Sequence, residues 1–133
     1  MRTGQILVYE RDRRIADLLR RERRLQAWPI REPRRLDTCM QMLHKGGPSA
    51  LVVRLDRELT RELGLLERVT WFYPEAAVVV VGDFADVPLT DLIWDLGASI
   101  VFSAMPSGHE LGETIAGFLS DGPENPKPLS MPN

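Results

Sequence analysis

Five short apolar runs rich in β-branched residues alternate along the chain with stretches of helical periodicity. The runs are residues 5–9 (QILVY), 27–31 (AWPIR), 50–55 (ALVVRL), 77–81 (AVVVV) and 99–103 (SIVFS). The third and fourth runs are apolar almost throughout, which is typical of strands covered on both faces. Strands that alternate with helices form a parallel sheet with helices packed on both faces. The sequence therefore predicts a three-layer α/β sandwich built from five βα units.

Proline in the second run indicates where that strand lies in the sheet. Pro29 has no backbone N–H to donate to a strand ladder, which places the run at an edge. Right-handed crossovers then favour the strand order 2-1-3-4-5. In such a sheet, ligands bind beyond the carboxyl ends of the strands, at the switch between strands one and three. We therefore expect functional residues within residues 10–12, 55–58, 82–84 and 103–106.

The segments between the runs predict five amphipathic helices. Asp12 is the expected N-cap of the first helix, and Cys39, on the inner stripe of the second, is expected to be buried. Trp94 lies off the apolar stripe of the fourth helix and is expected to face outward. The aromatic run at residues 71–73, which ends the third helix, is expected to close the core. The core stripes predicted for the five helices are Ile15, Leu18, Leu19 and Leu25; Leu36, Cys39, Met40 and Leu43; Leu59, Leu63, Leu66 and Val69; Leu89, Leu92, Ile93 and Leu96; and Leu111, Ile115 and Phe118.

Length and composition bound the class of protein. The 133 residues predict one domain, residues 1–119, followed by a proline-rich tail, residues 120–133, that is expected to be disordered or to act as a linker. One cysteine excludes an internal disulfide, and two distant histidines lack metal-ligand spacing. No apolar stretch approaches the ~18 residues of a membrane span, so a cytoplasmic protein is expected. Since the sequence has neither a glycine-rich phosphate loop nor a GxSxG elbow, no enzymatic activity is expected.

Charge is distributed unevenly between the two ends of the chain. Residues 1–35 contain 11 arginines and 5 acidic residues, whereas residues 36–133 contain 6 basic and 14 acidic residues. A basic patch can bind nucleic acid, but this one has no interleaved aromatic residues, so a solvated helix face is the favoured interpretation. The alternative is a nucleic-acid-binding adaptor that would use the arginines of the first helix: Arg13, Arg14, Arg20, Arg21, Arg23 and Arg24.

Four segments, in their order along the chain, carry a resemblance to a known family. They are ILVYERDRRIADLLR (residues 6–20), SALVVRLD (49–56), AAVVVVGDF (76–84) and DLGASIVFSAMP (95–106). Over residues 5–119 the chain resembles the receiver domain of bacterial two-component response regulators. The resemblance implies a flavodoxin-like, receiver-like sandwich and a role in phosphorelay signal transduction.

Active receivers carry a phosphorylation site at the carboxyl edge of the sheet. Two acids after the first strand hold Mg²⁺, and an aspartate ending the third strand accepts the phosphoryl group. A Thr or Ser after the fourth strand and a Lys after the fifth bind the phosphoryl oxygens, while the metal neutralises charge. In this chain the corresponding positions hold Glu10, Arg11, Leu55, Gly82 and, for the lysine, Ala104 or Met105.

Because most of these positions are changed, the resemblance implies a degenerate pseudo-receiver that acts by phosphorylation-independent protein contacts and needs no cofactor. The alternative is an active receiver phosphorylated on Asp56, with Mg²⁺ bound through Glu10 and Asp56. A shift by one residue turns a strand side chain to the opposite face, so this alternative requires a bulge. In the degenerate form, Arg11 or Arg54 is expected to occupy the place of the metal by pairing with an acid among Glu10, Asp12, Asp56 and Asp83.

The resemblance also implies a surface for protein contacts, formed by the fourth helix, the fifth strand and the fifth helix. Trp94 is the expected anchor, because interface energy concentrates in such residues. Phe102 resembles the family's switch aromatic when the corner is aligned on Pro106, and Val101 takes that place otherwise. A protein partner or a homodimer is expected to bind there, whereas a membrane is not expected and nucleic acid is the less favoured partner.

Overall fold

The computed structural model of the chain describes residues 4–56, 58–83 and 87–121. Within these residues, five strands alternate with five α-helices, and a short 3-10 helix, Arg23–Leu25, follows the first α-helix. The strands are β1 (Gln5–Tyr9), β2 (Ile30–Arg31), β3 (Ser49–Arg54), β4 (Ala77–Val81) and β5 (Ile100–Phe102). The helices are α1 (Arg14–Arg20), α2 (Leu36–Lys45), α3 (Leu59–Phe72), α4 (Val87–Asp95) and α5 (Gly108–Asp121).

All neighbouring strands are parallel, and the order β2-β1-β3-β4-β5 confirms the predicted fold class. β2 lies at the edge, as Pro29 predicts, but it is shorter than the predicted strand. Pro29 itself precedes β2, and its carbonyl accepts the N–H of Ile6 at 2.9 Å. The proline therefore contributes an acceptor to the sheet where it has no donor to give.

Alternate strand residues pack into two separate cores. In β3, Leu51 and Val53 face the core formed with α2, α3 and α4, whereas Ala50 and Val52 face the core formed with α1 and α5. This alternation follows from the period-two geometry of a strand. Cys39 is buried in the first of these cores, as predicted, and burial raises the pKa of its thiol to about 12.

The first helix is shorter than the sequence predicts. α1 ends at Arg20, and Leu25 belongs to the separate 3-10 helix, although it still packs in the core with α1 and α5. Arg13, and not Asp12 as predicted, holds the N-cap position of α1 and provides no side-chain cap, although Oδ1 of Asp12 accepts the N–H of Arg14, the first residue of α1, at 3.5 Å. The capping carboxylate is Glu10, as described below.

Apolar side chains that the sequence predicts to be buried are exposed at three places. Trp71 and Phe72, at the end of α3, are 79% and 63% exposed, so they do not close the core. Only Tyr73 of that run packs against the core. Leu92 in α4 and Phe118 in α5 are also exposed, because Leu92 lies at the margin of its helix stripe and Phe118 lies near the end of its helix.

Part of the predicted tail is helical. Residues Ser120 and Asp121 belong to α5, whereas residues 122–133 lie outside the described part of the chain. Among the described residues, no helix is both long and apolar enough to cross a membrane.

Candidate functional site

The strand register brings several strand ends to one edge of the sheet. β1 pairs with β3 up to Tyr9 and Val53. The ladder continues one residue beyond β3, since the N–H of Leu55 donates to the carbonyl of Val81 at 2.8 Å. The switch between the first and third strands, where ligands bind in sheets of this kind, is therefore next to Glu10. The residues that follow these paired ends are Glu10, Asp56, Gly82 and Ser103.

The carboxylate of Glu10 binds the backbone at the N-terminus of α1. Its carboxylate oxygens Oε1 and Oε2 accept hydrogen bonds from the N–H groups of Ile15 and Ala16, at 3.1 and 3.0 Å. These are N–H groups of the first helical turn, which have no partner inside the helix. Burial raises the pKa of Glu10 despite these two hydrogen bonds, which lower it. Glu10 therefore serves the backbone as a buried capping acid.

A guanidinium group lies beside Glu10. Arg54, the last residue of β3, donates from Nη1 to Oδ1 of Asp12 at 2.8 Å, and its side chain is largely buried. Its positive charge lowers the pKa of Glu10, which places it within electrostatic reach of that carboxylate. Of the pairings considered from the sequence for Arg11 and Arg54, the structure contains the one between Arg54 and Asp12.

The remaining predicted positions do not converge on this pair. Leu55 is buried in the core formed with α2, α3 and α4. Asp56 is exposed, and the hydrogen bond it makes is from its backbone N–H, to Oε1 of Glu62 at 2.9 Å. Gly82 is buried, and its N–H donates to the carbonyl of Phe102 at 2.9 Å. The other three predicted residues lie at the ends of β4 and β5: Asp83 and Ala104 are exposed, and Met105 packs partly against the core with α1 and α5.

A cleft of about 230 Å³ opens beside the end of β1. Glu10 and Arg11 are the predicted residues that line it. Glu58 also lines it and falls within the expected segment 55–58. The sequence analysis missed the other lining residues, which come from β1 and from the segments around the start of α2 and α3: Tyr9, Arg34, Arg61 and Glu62.

Glu62 is the least expected of these residues, because it is a carboxylate only 3% exposed. Burial raises its pKa, and the hydrogen bond from the N–H of Asp56 lowers it. A sequence signal for it exists. Glu62 falls on the same helical stripe as Leu59 and Leu66, so an acid interrupts an otherwise apolar face.

The donor set at this edge does not fit a Mg²⁺ ion. Magnesium requires oxygen ligands in near-octahedral geometry, usually with one or two carboxylates. Here both oxygens of Glu10 accept hydrogen bonds from backbone N–H groups, and the positive charge of Arg54 would repel a metal cation bound to Glu10. Across residues 4–56, 58–83 and 87–121, no group of three or more His, Cys, Asp or Glu side chains could hold a metal ion.

Comparison with known proteins identifies the fold. No family model matches the sequence, and no curated protein matches it. A receiver domain protein (CheY-like) from Methanospirillum hungatei JF-1 superposes with a TM-score of 0.74 at 14% identity, covering 89% of this chain and 94% of that one. A response regulator from Thermotoga maritima also gives 0.74, at 15% identity over 89% and 98%. The chain has the receiver fold. A putative response regulator from Chloroflexus aurantiacus J-10-fl agrees, with a TM-score of 0.69, 18% identity and coverage of 90% and 99%.

On the receiver fold, the residues predicted for protein contacts lie on α4 and β5. Trp94 is 46% exposed, in agreement with the expectation that it faces outward. Phe102 is partly buried and packs against the core formed with α1 and α5. Trp94 is therefore available to a partner without any rearrangement, whereas Phe102 is mostly committed to the domain itself.

Half of the arginines predicted for nucleic-acid binding make ion pairs within the domain. Glu32 accepts hydrogen bonds from Arg13 and Arg20, with shortest distances of 3.2 and 2.8 Å. Burial favours the neutral form of Glu32, but Arg20 and Arg13 together hold its pKa below its ordinary value. Arg24 lies 3.9 Å from Glu113. These pairs reduce the positive charge that the α1 side presents to a phosphate backbone.

The raised pKa of Glu62 predicts a pH-dependent contribution to stability. Because the native state favours the protonated carboxyl, the contribution is full below the ordinary glutamate pKa of about 4.3 and is lost as pH rises through the higher native pKa. Glu62→Gln removes this titration and keeps an oxygen for the Asp56 N–H. Urea unfolding at pH 7 and pH 5 should show that wild type gains stability relative to Glu62→Gln at the lower pH.

The matched control is Glu67→Gln, since Glu67 is exposed on the same helix. The free energy of unfolding of Glu67→Gln should differ from that of wild type by the same amount at both pH values. The prediction would be contradicted if the difference in the free energy of unfolding between Glu62→Gln and wild type were also the same at both pH values.

Proposed function

We propose that this chain is a receiver-like signalling module that acts by phosphorylation-independent protein–protein contacts and not as an enzyme. The observation that carries the proposal is the arrangement at the switch between β1 and β3. There the carboxylate of Glu10 caps α1, and Arg54 pairs with Asp12. Because Arg54 is positively charged and the carboxylate of Glu10 already binds the helix backbone, a divalent ion beside a phosphorylatable carboxylate would be bound unfavourably here.

The position of the third strand end supports the same proposal. Leu55 stands at the phosphoacceptor position of the ungapped register, and it is buried in the core. Asp56 lies one residue further on and is exposed, with its N–H bonded to Glu62. In active receivers, the metal lies between the phosphorylated aspartate at the end of the third strand and the acids after the first strand. A phosphoryl group on Asp56 would lie beyond that position.

Treatment with a small phosphodonor and Mg²⁺ tests this function. Intact mass spectrometry of the wild-type chain should show no adduct of about 80 Da, the mass of one phosphoryl group. Asp56→Asn is the matched control, because it removes the one carboxylate that the active-receiver alternative uses as acceptor. An adduct that forms on wild type and is absent from Asp56→Asn would establish an active receiver and overturn the proposal.

Stabilisation by a phosphoryl mimic gives an independent readout. A ligand that binds the native state alone stabilises it by about 2.7 kcal/mol at a hundredfold excess over Kd. Mg²⁺ with beryllofluoride should therefore leave the thermal unfolding midpoint of the wild-type chain unchanged. A rise that depends on both additives together would show that the edge still binds a metal and a phosphoryl group.

A further inference from the structure

The part of the chain that includes the β5 edge of the sheet is rich in acidic residues and poor in basic ones. Residues 69–126 include β4, α4, β5 and α5 and contain no lysine or arginine. Since β2 and β5 are at opposite edges of the sheet, α4 and β5 lie away from the edge that carries β2, whereas α5 packs beside α1 and the 3-10 helix. The acids of this stretch are Glu75, Asp83, Asp86, Asp91, Asp95, Glu110, Glu113, Asp121 and Glu124.

The basic side retains arginines that no neighbour neutralises. We define it as residues 13–31, which include α1, the 3-10 helix and β2. Four exposed arginines there form no ion pair with another described residue, whereas Arg13 and Arg20 share Glu32. The unpaired residues are Arg14, Arg21, Arg23 and Arg31.

The acidic side, defined as α4, β5 and α5, carries exposed apolar groups among its acids. Trp94 and Leu92 are exposed on α4, next in sequence to Asp95 and Asp91. An aromatic ring flanked by carboxylates suits an arginine, which can stack on the ring and pair with the acids. An arginine of the basic side already pairs with a carboxylate of the acidic side within one chain, where Arg24 lies 3.9 Å from Glu113.

We propose that the acidic side of one copy of this chain docks on the basic side of a second copy, head to tail. This inference rests on the proposed function and names its partner as the chain itself. It differs from the homodimer through α4, β5 and α5 that the resemblance implies, because that arrangement would bring two acidic surfaces together. A head-to-tail contact leaves one acidic and one basic side free, so association continues beyond the dimer unless a ring closes.

Sedimentation velocity at rising protein concentration tests the proposal on the full chain. Wild type should self-associate, and raising NaCl from about 0.05 M to about 0.5 M should weaken the association at least tenfold, because exposed charges are screened. Two charge-neutralising variants should each weaken it by a similar factor. One is Arg21→Gln with Arg23→Gln, and the other is Asp91→Asn with Asp95→Asn.

Mixing the two variants distinguishes the geometry. Each variant keeps one intact side, so an equimolar mixture should form a 1:1 complex and nothing larger. Trp94→Ala should weaken self-association as well. The matched controls are Arg68→Gln and Glu67→Gln, which change exposed charges on α3, outside both sides, and should associate like wild type.

Three outcomes would overturn the inference. Wild type could remain monomeric up to about 1 mM, a concentration at which even a weak contact is populated. Neutralising Asp91 and Asp95 could strengthen association while the arginine variant behaves like wild type, which is the result for a symmetric acidic dimer. The mixed variants could fail to form the 1:1 complex. None of these results concerns phosphorylation, so the mass-spectrometric test of the proposed function stands separately.

Discussion

Alanine at position 97 should lower the free energy of unfolding by about 3 kcal/mol. Gly97 follows α4 with a φ of +110°, a backbone region that a residue with a Cβ occupies at a cost of about 1–3 kcal/mol. A Cβ there would also overlap Cγ2 of Thr70 and lie 2.5 Å from its Oγ1. Because Thr70 belongs to α3, either this side chain or the turn into β5 must move. Urea or thermal unfolding of Gly97→Ala measures the loss.

Gly64→Ala is the matched control for this substitution. Gly64 lies inside α3, and a Cβ built there meets no atom within 4 Å. Replacing a helical glycine by alanine in open space should stabilise the domain by about 0.5–1 kcal/mol. Opposite signs for the two variants are the expected result. Equal effects would contradict the conformational and steric argument for Gly97.

The strands and their order could be predicted from the sequence because their signals are local. Residues 5–9 and 77–81 are β1 and β4 to the residue, since each is a short apolar run. A short apolar run rich in β-branched residues is typical of a strand that is buried on both faces. Pro29 gives the edge position of β2 through a missing N–H, which is also a property of one residue.

The side-chain partners at the candidate site could not be predicted in the same way. Arg54 and Asp12 are 42 residues apart, and their pairing depends on the register between β1 and β3. The sequence offered several acids for Arg54 with no means of choosing one. Glu10 presents a second difficulty, because a carboxylate at the end of a strand can bind a metal or cap the next helix with the same spacing.

Helix ends were the other source of error. Trp71 and Phe72 continue an amphipathic helix, but they lie in its last turn, where the chain leaves the core and either face can be exposed. Periodicity describes which side of a helix is apolar and not how far the layer beneath it extends. The same reason accounts for the exposed Phe118 near the end of α5.

Replacing Glu10 by alanine should lower the free energy of unfolding by about 2–4 kcal/mol, even in EDTA. The substitution removes the acceptor of the Ile15 and Ala16 N–H groups, both of which are buried. Leaving a buried donor unsatisfied costs about 1–3 kcal/mol, and loss of a helix cap costs about 0.5–2 kcal/mol. Glu10→Gln keeps one acceptor oxygen and should lose about half as much. Chemical denaturation followed by far-ultraviolet circular dichroism measures both values.

The sign of this effect separates a capping acid from a metal ligand. In a cluster of metal-binding carboxylates without metal, like charges repel, so removing one acid should raise stability. The capping geometry of Glu10 predicts the opposite. Asp12→Ala is the matched control, because it removes a partly exposed ion pair, worth about 0–1 kcal/mol, and a long 3.5 Å hydrogen bond from the exposed N–H of Arg14, but leaves the buried N–H groups of Ile15 and Ala16 paired with Glu10. If Glu10→Ala were as stable as wild type in EDTA while Asp12→Ala behaved as expected, Glu10 would not be the cap of α1, and its carboxylate would again be free to bind a cation.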